Sequence, residues 1–318
     1  MRLATVLWDG EPIVAVCIGN SILNLATSVA ALKRPRKDQP PSDMLDLINR
    51  GSPALRVVQD LCREGARRLA KGTWEAKARD PIVRPVDRIR FLAPIPRPRK
   101  NVICLGRNYA EHAREQQAEV PSAPVFFTKP PSCVIGPEAP VTRHSVTAQL
   151  DYEVELAVVI GRKGSNISRA KAYDYVFGYT ILNDITARDL QRRHMQWFKG
   201  KSLDSFCPMG PWIVHKSALR DPHDLRIGLR VNGDVRQAAS TGHMVFRIPE
   251  LLEVLSAGMT LEPGDILATG TPSGVGQGFN PPRWLQVGDV VEAEIEEIGL
   301  LRNRIIAPAR GVGRPRRR

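Results

Sequence analysis

Residues 150–160, LDYEVELAVVI, constrain this chain more than any other segment. They read as a β-strand, with β-branched and aromatic residues in a period of two and a stop at Gly161. Leu150, Tyr152, Val154, Leu156, Val158 and Ile160 make one apolar face. The other face begins with Asp151, Glu153 and Glu155 and ends with Ala157 and Val159. Side chains two apart on a strand point the same way, so Glu153 and Glu155 lie side by side. At a backbone separation of about 6.6 Å and an effective dielectric of about 20, they repel by about 2.5 kcal/mol. A fixed array of carboxylates on so hydrophobic a strand suits a hard cation such as Mg²⁺, Mn²⁺ or Ca²⁺. A solvated strand face, where acids are ordinary, is the other reading of this segment.

The chain has 318 residues, 42% hydrophobic and 25% charged, the balance of an ordinary globular protein with room for two domains. It holds no apolar run of transmembrane length, and Asp9 and Glu11 interrupt any signal-peptide core at its start. Five cysteines (Cys17, Cys62, Cys104, Cys133 and Cys207) are odd in number and form no C-x-x-C pair. They point to reduced thiols and a cytoplasmic location rather than to a disulfide framework or a zinc site. The net charge of +13 raises nucleic-acid binding as a rival class. Much of the surplus sits at Lys33, Arg34, Arg36 and Lys37 and in the Pro- and Gly-containing tail 307–318, which carries five arginines and reads as a disordered basic extension. No helix-turn-helix, zinc-finger or RNP pattern accompanies either group. Steering of an anionic small substrate is therefore the better use of the charge.

The spacing predicts a small N-terminal α/β domain over residues 1–92. It opens with a hairpin of strands 3–7 and 13–18 around Asp9-Gly10, and continues with helices 42–49 and 52–70. A connection bearing Pro81, Pro85, Pro94, Pro96 and Pro98 marks the boundary. Residues 93–306 then read as a mostly β domain. Its expected strands are 101–105, 125–128, 177–182, 212–214, 225–231, 235–237, 265–268 and 289–295, with a type I′ turn at Asn232-Gly233. Helices are expected at 168–175, 186–198 and 249–257. There is no βαβ alternation and no internal repeat, so the fold class is α+β, mostly β.

Four further constellations carry chemistry. Asp184 sits where an apolar strand hands over to a helix, a place for a ligand or for a helix cap. Two glutamates and this aspartate would leave positions on an octahedral ion for water or a chelating substrate. His112 and Glu115, at i and i+3 in a helix with no apolar stripe, share a face. They form either a general-base dyad on a mobile lid or a casual surface pair. Lys201 lies in a Gly-flanked turn, but Met195 stands where a nucleotide P-loop needs glycine. It neutralises a substrate oxyanion or is simply solvated. Residues 269–278, TGTPSGVGQG, follow a strand without a helix behind them, which rules out a dinucleotide fingerprint. Their backbone N–H groups could still cradle a carboxylate, or the loop is a flexible turn. No G-x-S-x-G elbow and no H-E-x-x-H motif is present.

In this order, the segments resemble the fumarylacetoacetate hydrolase family. The matching pieces are 106–109 with His112 and Glu115, 152–156, 183–189, 200–202, 231–233, 263–265 and 269–276. They cover about residues 100–306, with the N-terminal module resembling the smaller domain of longer bacterial members. The resemblance implies a β-roll catalytic domain, a homodimer, and Mg²⁺ or Mn²⁺ held by Glu153, Glu155 and Asp184. It further implies that His112 and Glu115 form a water-activating lid dyad and that Lys201 stabilises developing negative charge. Arg107, Tyr109, Arg188, Gln191 and Thr271 would contact the substrate. The expected reaction is hydrolysis of a C–C bond in an acylpyruvate or 1,3-diketo acid, in aromatic or organic-acid catabolism. Isomerisation or decarboxylation of hydroxymuconate-type or oxaloacetate-like 2-oxo acids uses the same enolate chemistry and is the alternative. The dyad favours hydrolysis, because isomerisation needs no water.

Overall fold

A computed structural model describes residues 1–35, 38–77 and 79–308. Arg36 and Lys37 of the basic loop, and residues 309–318 of the expected tail, lie outside the described residues. Within that loop, Arg34 pairs with Asp38 at 3.0 Å and Asp60 at 3.3 Å.

The architecture is α+β and mostly β, organised by one long sheet. Its path runs Val83–Pro85, Ser21–Asn24, Glu11–Ile18, Arg2–Trp8, Cys207–His215, Val176–Asn183, Val154–Ile160, Ile266–Ala268, Val102–Gly106 and Val125–Lys129. The N-terminal strands therefore join the later ones edge to edge, through Arg2 opposite Val214 and Leu3 opposite Ile213. A second sheet, ordered Asp234–Ser240, Arg226–Val231, Val290–Ile295, Gly299–Ile306 and Val141–Thr142, packs on the centre of the first. Its strands alternate buried and exposed residues, whereas Val154–Ile160 and Val176–Asn183 are buried at every position. The two strands that lead to the acidic residues are thus covered on both faces, the environment that favours near-continuous apolar sequence.

The expected first hairpin and the predicted I′ turn at Asn232-Gly233 both form. Asp9 (φ 52°) and Gly10 (φ 92°) connect the first hairpin, and Asn232 (φ 53°) and Gly233 (φ 85°) connect Arg226–Val231 to Asp234–Ser240. The two expected N-terminal helices form one segment, Met44–Ala70, broken where Gly51 takes φ 61° and capped by Asp43. Helix Leu25–Ala31, capped by Asn24, and strand Gly299–Ile306 were not expected.

Three expectations are corrected. The strand expected through 150–160 is interrupted at Tyr152 and Glu153, giving Leu150–Asp151 and Val154–Ile160. Side chains capture the backbone there: Tyr152 N–H donates to Asp151 Oδ1, Glu153 N–H to Asn183 Oδ1 and Val154 N–H to Gln237 Oε1. The helix expected at 186–198 is divided into strand Thr186–Ala187, helix Arg188–Arg193 and a short helix Phe198–Lys201. Leu150–Asp151 takes the first two residues as a strand partner, and Met195 turns left-handed at φ 56°. The helix expected at 168–175 is a 3₁₀ helix, Arg169–Tyr175. All five cysteines are free, and no helix among the described residues is long and apolar enough to cross a membrane.

His215 ends the strand that receives the N-terminal sheet. It lies edge-on to Phe177, with ring centroids 5.4 Å apart, and is 7% exposed. Burial, helped by Lys216 and the N-terminal ammonium, lowers its pKa to about 4. A histidine depressed in the folded state favours unfolding once it must be charged. Its contribution is therefore complete above about pH 6.5 and is lost as pH falls towards 4. Urea midpoints measured at pH 7 and pH 4.5 should fall further in the wild type than in His215→Gln. Equal falls in the two proteins would remove His215 from the acid sensitivity.

Candidate active site

The strand break delivers the acids. Glu153 sits in the gap between the two strand pieces, its N–H bonded to Asn183 Oδ1 and its carbonyl accepting from Asp184 N–H at 2.8 Å. Glu155 follows on the continuous strand, and Asp184 just beyond the paired strand Val176–Asn183. Glu153, Glu155 and Asp184 are 5%, 1% and 0% exposed, which excludes the solvated-face reading. One carboxylate oxygen from each lies within 4.8 Å of the others.

Cations surround this cluster unevenly. Lys201 Nζ donates to Glu153 Oε2 at 2.8 Å and to Asp184 Oδ2 at 2.7 Å. Arg188 bridges Glu153 Oε1 at 2.6 Å and Asp151 Oδ2 at 2.9 Å. Lys129, wholly buried, donates to the other Asp184 oxygen at 2.5 Å. Glu155 has no ion-pair partner among the described residues and accepts only the Gly270 N–H, at 2.7 Å. The electrostatic result is a split pair. Burial would raise both glutamates, but Lys201, Arg188 and His112 outweigh it for Glu153 and hold its pKa down at about 2. For Glu155, burial is reinforced by Asp184 and Glu153, and its pKa stands well above the usual carboxylate range. A buried acid without a cation, beside two more hard oxygen donors, fits a divalent metal ion that would replace the Glu155 proton.

The expected pair of His112 and Glu115 is brought together. In the short helix Ala110–Glu115, His112 Nδ1 lies 3.1 Å from Glu115 Oε2, and both side chains are largely buried. The helix lacks an apolar stripe and is instead tethered: Gly274 N–H donates to Glu115 Oε1 at 2.8 Å. Gly278 passes so close that a Cβ there would lie 2.0 Å from Glu115 Oε1. Arg107, His112, Glu153, Arg188, Gln191, Lys201 and Thr271 line one cavity, whose volume of about 20 Å³ holds roughly one water. Tyr109 does not line it. This tyrosine is 2% exposed, and its hydroxyl has no hydrogen-bond partner among the described residues.

Sequence reasoning passed over four residues that hold these groups. Lys129 is visible only as a lysine closing an apolar strand before Pro130. Asp151 accepts from Arg188, Tyr152 N–H, Gly276 N–H and Gln277 N–H, joining the metal-side strand to the glycine-rich loop. Asn108 ties the start of the lid to Phe246 and to the Thr269 carbonyl. Gln237, buried at 1%, spans from Val154 N–H to the Thr271 hydroxyl and the Pro272 carbonyl. Its one sequence signal is an amide at an inward position of a hairpin strand.

The family model described as Fumarylacetoacetate (FAA) hydrolase C-terminal matches residues 101–306. The oxaloacetate tautomerase YisK of Bacillus subtilis is 54% identical over 246 residues, which cover 76% of this chain and 81% of that protein. The mitochondrial oxaloacetate tautomerase Fahd2a of Rattus norvegicus is 41% identical over 290 residues, covering 91% and 85%. Among solved structures, a fumarylacetoacetate hydrolase from the psychrophilic Exiguobacterium antarcticum superposes with a TM-score of 0.79 at 40% identity, covering 97% of this chain and 100% of that one.

Two variants separate the cluster from the lid. Glu155→Gln keeps an acceptor for Gly270 N–H and removes the uncompensated acid. Mn²⁺ affinity by titration calorimetry should fall by about 100-fold or more, while the metal-free protein unfolds at an equal or higher temperature. Unchanged affinity would take Glu155 out of the metal set. Gly278→Ala overpacks the tether at a cost of about 1–3 kcal/mol. Amide hydrogen exchange should accelerate over residues 110–115, with Mn²⁺ affinity held within a few-fold.

Proposed function

We propose that this chain, which belongs to the fumarylacetoacetate hydrolase family, is a divalent-metal-dependent enzyme of small 2-oxo acids whose main reaction is keto–enol tautomerisation of oxaloacetate or a close 2-oxo dicarboxylate. The observation that carries the metal and substrate class is the acid cluster. Among the described residues Glu155 has no cation in a cluster where Glu153 and Asp184 are already paired, and two guanidinium groups, those of Arg107 and Arg188, line the cavity that Glu153 also lines. The choice of oxaloacetate follows the names of the Bacillus and rat relatives.

Glu153, Glu155 and Asp184 would hold Mg²⁺ or Mn²⁺, which supplies the electrophile that lowers the cost of negative charge on the 2-oxo oxygen. The chain's own residues do the rest. Arg107 and Arg188 bind the anionic substrate, with Gln191 fixed on Arg188 at 3.2 Å and the Thr271 hydroxyl oriented by Gln237 at 2.8 Å. Tautomerisation removes the enol O–H proton and adds one at C3, consuming no water. Of the groups lining the cavity, His112, Glu153 and Lys201 can exchange a proton, since arginine stays charged. Lys201 is the one we assign to C3. C–C hydrolysis is the second reading, favoured by the His112–Glu115 pair and by the name of the Exiguobacterium structure.

Loaded with Mg²⁺ or Mn²⁺, the protein should accelerate loss of the enol absorbance of oxaloacetate well beyond any hydrolysis of acetylpyruvate, and EDTA should abolish this. Activity indifferent to chelation sinks the metal mechanism. Lys201→Arg retains the cation but cannot release its proton, so kcat should drop by about 10²-fold or more, with Mn²⁺ affinity little changed. An undiminished kcat would move the proton transfer to another group.

A further inference from the structure

His112 has two ring nitrogens, and both are taken by its own helix. Nδ1 faces the carboxylate Glu115 Oε2 at 3.1 Å, and a carboxylate accepts, so Nδ1 carries the proton. Nε2 is then the sole lone pair, and the side-chain amide nitrogen of Gln116 lies 2.9 Å from it. A base that activates water needs that lone pair within hydrogen-bond reach of the water. Gln116 is four residues from His112, so the two neighbour each other on the helix end and travel together when the lid moves. A residue contributed by the body of the protein would release the ring on opening; this one stays with it. The cavity that Gln116 and His112 both line holds roughly one water, which an incoming substrate displaces.

We infer that Gln116 is the residue that sets the reaction outcome, its amide occupying His112 Nε2 so that proton transfer within the substrate wins over hydrolysis. The inference rests on the tautomerase reading above. The two outcomes differ in their atoms. In hydrolysis a water proton passes to Nε2 and the water oxygen bonds to the acyl carbon. The C–C electron pair stays on the 2-oxo acid as its enolate, which is then protonated. In tautomerisation only a proton moves, from the enol oxygen to C3. Blocking Nε2 removes the first step of the former and nothing from the latter.

Histidine-ring ¹H–¹⁵N NMR of the Mg²⁺- and oxalate-loaded protein, assigned with His112→Gln, reads the contact without turnover. The wild type should show His112 as the Nδ1–H tautomer with a hydrogen-bonded Nε2. Gln116→Leu should shift the Nε2 resonance or mix the tautomers. In Gln116→Ala and Gln116→Leu, the ratio of acetylpyruvate hydrolysis to enol-oxaloacetate tautomerisation should rise by about 10- to 100-fold, part of what a positioned base contributes. An Nε2–H tautomer or an imidazolium in the wild type overturns the inference whatever the substrate. So does an unchanged ratio in both variants. A wild type that tautomerises nothing yet hydrolyses acetylpyruvate overturns the functional reading, and the selectivity built on it, while the NMR still reports whether Gln116 holds the ring.

Discussion

A carboxylic acid buried with no ion-pair partner among the described residues is the constraint around which the site is arranged. Glu155 lies on a strand covered on both faces, and its neighbours Glu153 and Asp184 add negative charge rather than relieve it. Three cations stand nearby, yet Lys201, Arg188 and Lys129 are committed to Glu153, Asp151 and Asp184. Four acids against three bases leave one acid without a cation, and burial beside Asp184 and Glu153 pushes the Glu155 carboxyl well above the usual carboxylate range. A divalent ion bound beside it would turn the net charge of the cluster positive.

That arrangement explains why the surrounding structure is so heavily hydrogen-bonded. Removing one partner from a buried ion network leaves another charge exposed to low dielectric, at a cost of about 3–5 kcal/mol. Lys129 therefore holds Asp184 and, through its other bonds, the Ile185 and Lys201 carbonyls, so the lysine that faces the cavity and the acid beneath it share one support. The interruption of the acidic strand has the same origin. A regular ladder would have left no room for Asn183 and Gln237 to grip the backbone on either side of Glu153.

The parts of this site that were legible in the sequence are those encoded locally. A period of two put Glu153 and Glu155 on one face, a strand end offered Asp184, and i, i+3 spacing paired His112 with Glu115. What stayed hidden depends on contacts between distant segments. Lys129 meets Asp184 across 55 residues, and Asn108 meets Thr269 across 161. A lysine at a strand end and an asparagine in a loop look ordinary until folding buries them. The fold divides in the same way. Both I′ turns follow from Asp-Gly and Asn-Gly, whereas the break in the expected 186–198 helix comes from strand pairing with Leu150–Asp151, which no local propensity describes.

Two of the attachments of the glycine-rich loop run in opposite directions. Asp151 pins Gly276 and Gln277 to the acid cluster from below, whereas Gly274 reaches up to Glu115 on the lid. Displacing the helix Ala110–Glu115 would break the upper bond, worth about 1.5–3 kcal/mol for a charged acceptor, and leave the lower ones intact. The acid cluster is thereby braced independently of the helix that carries His112 and Glu115.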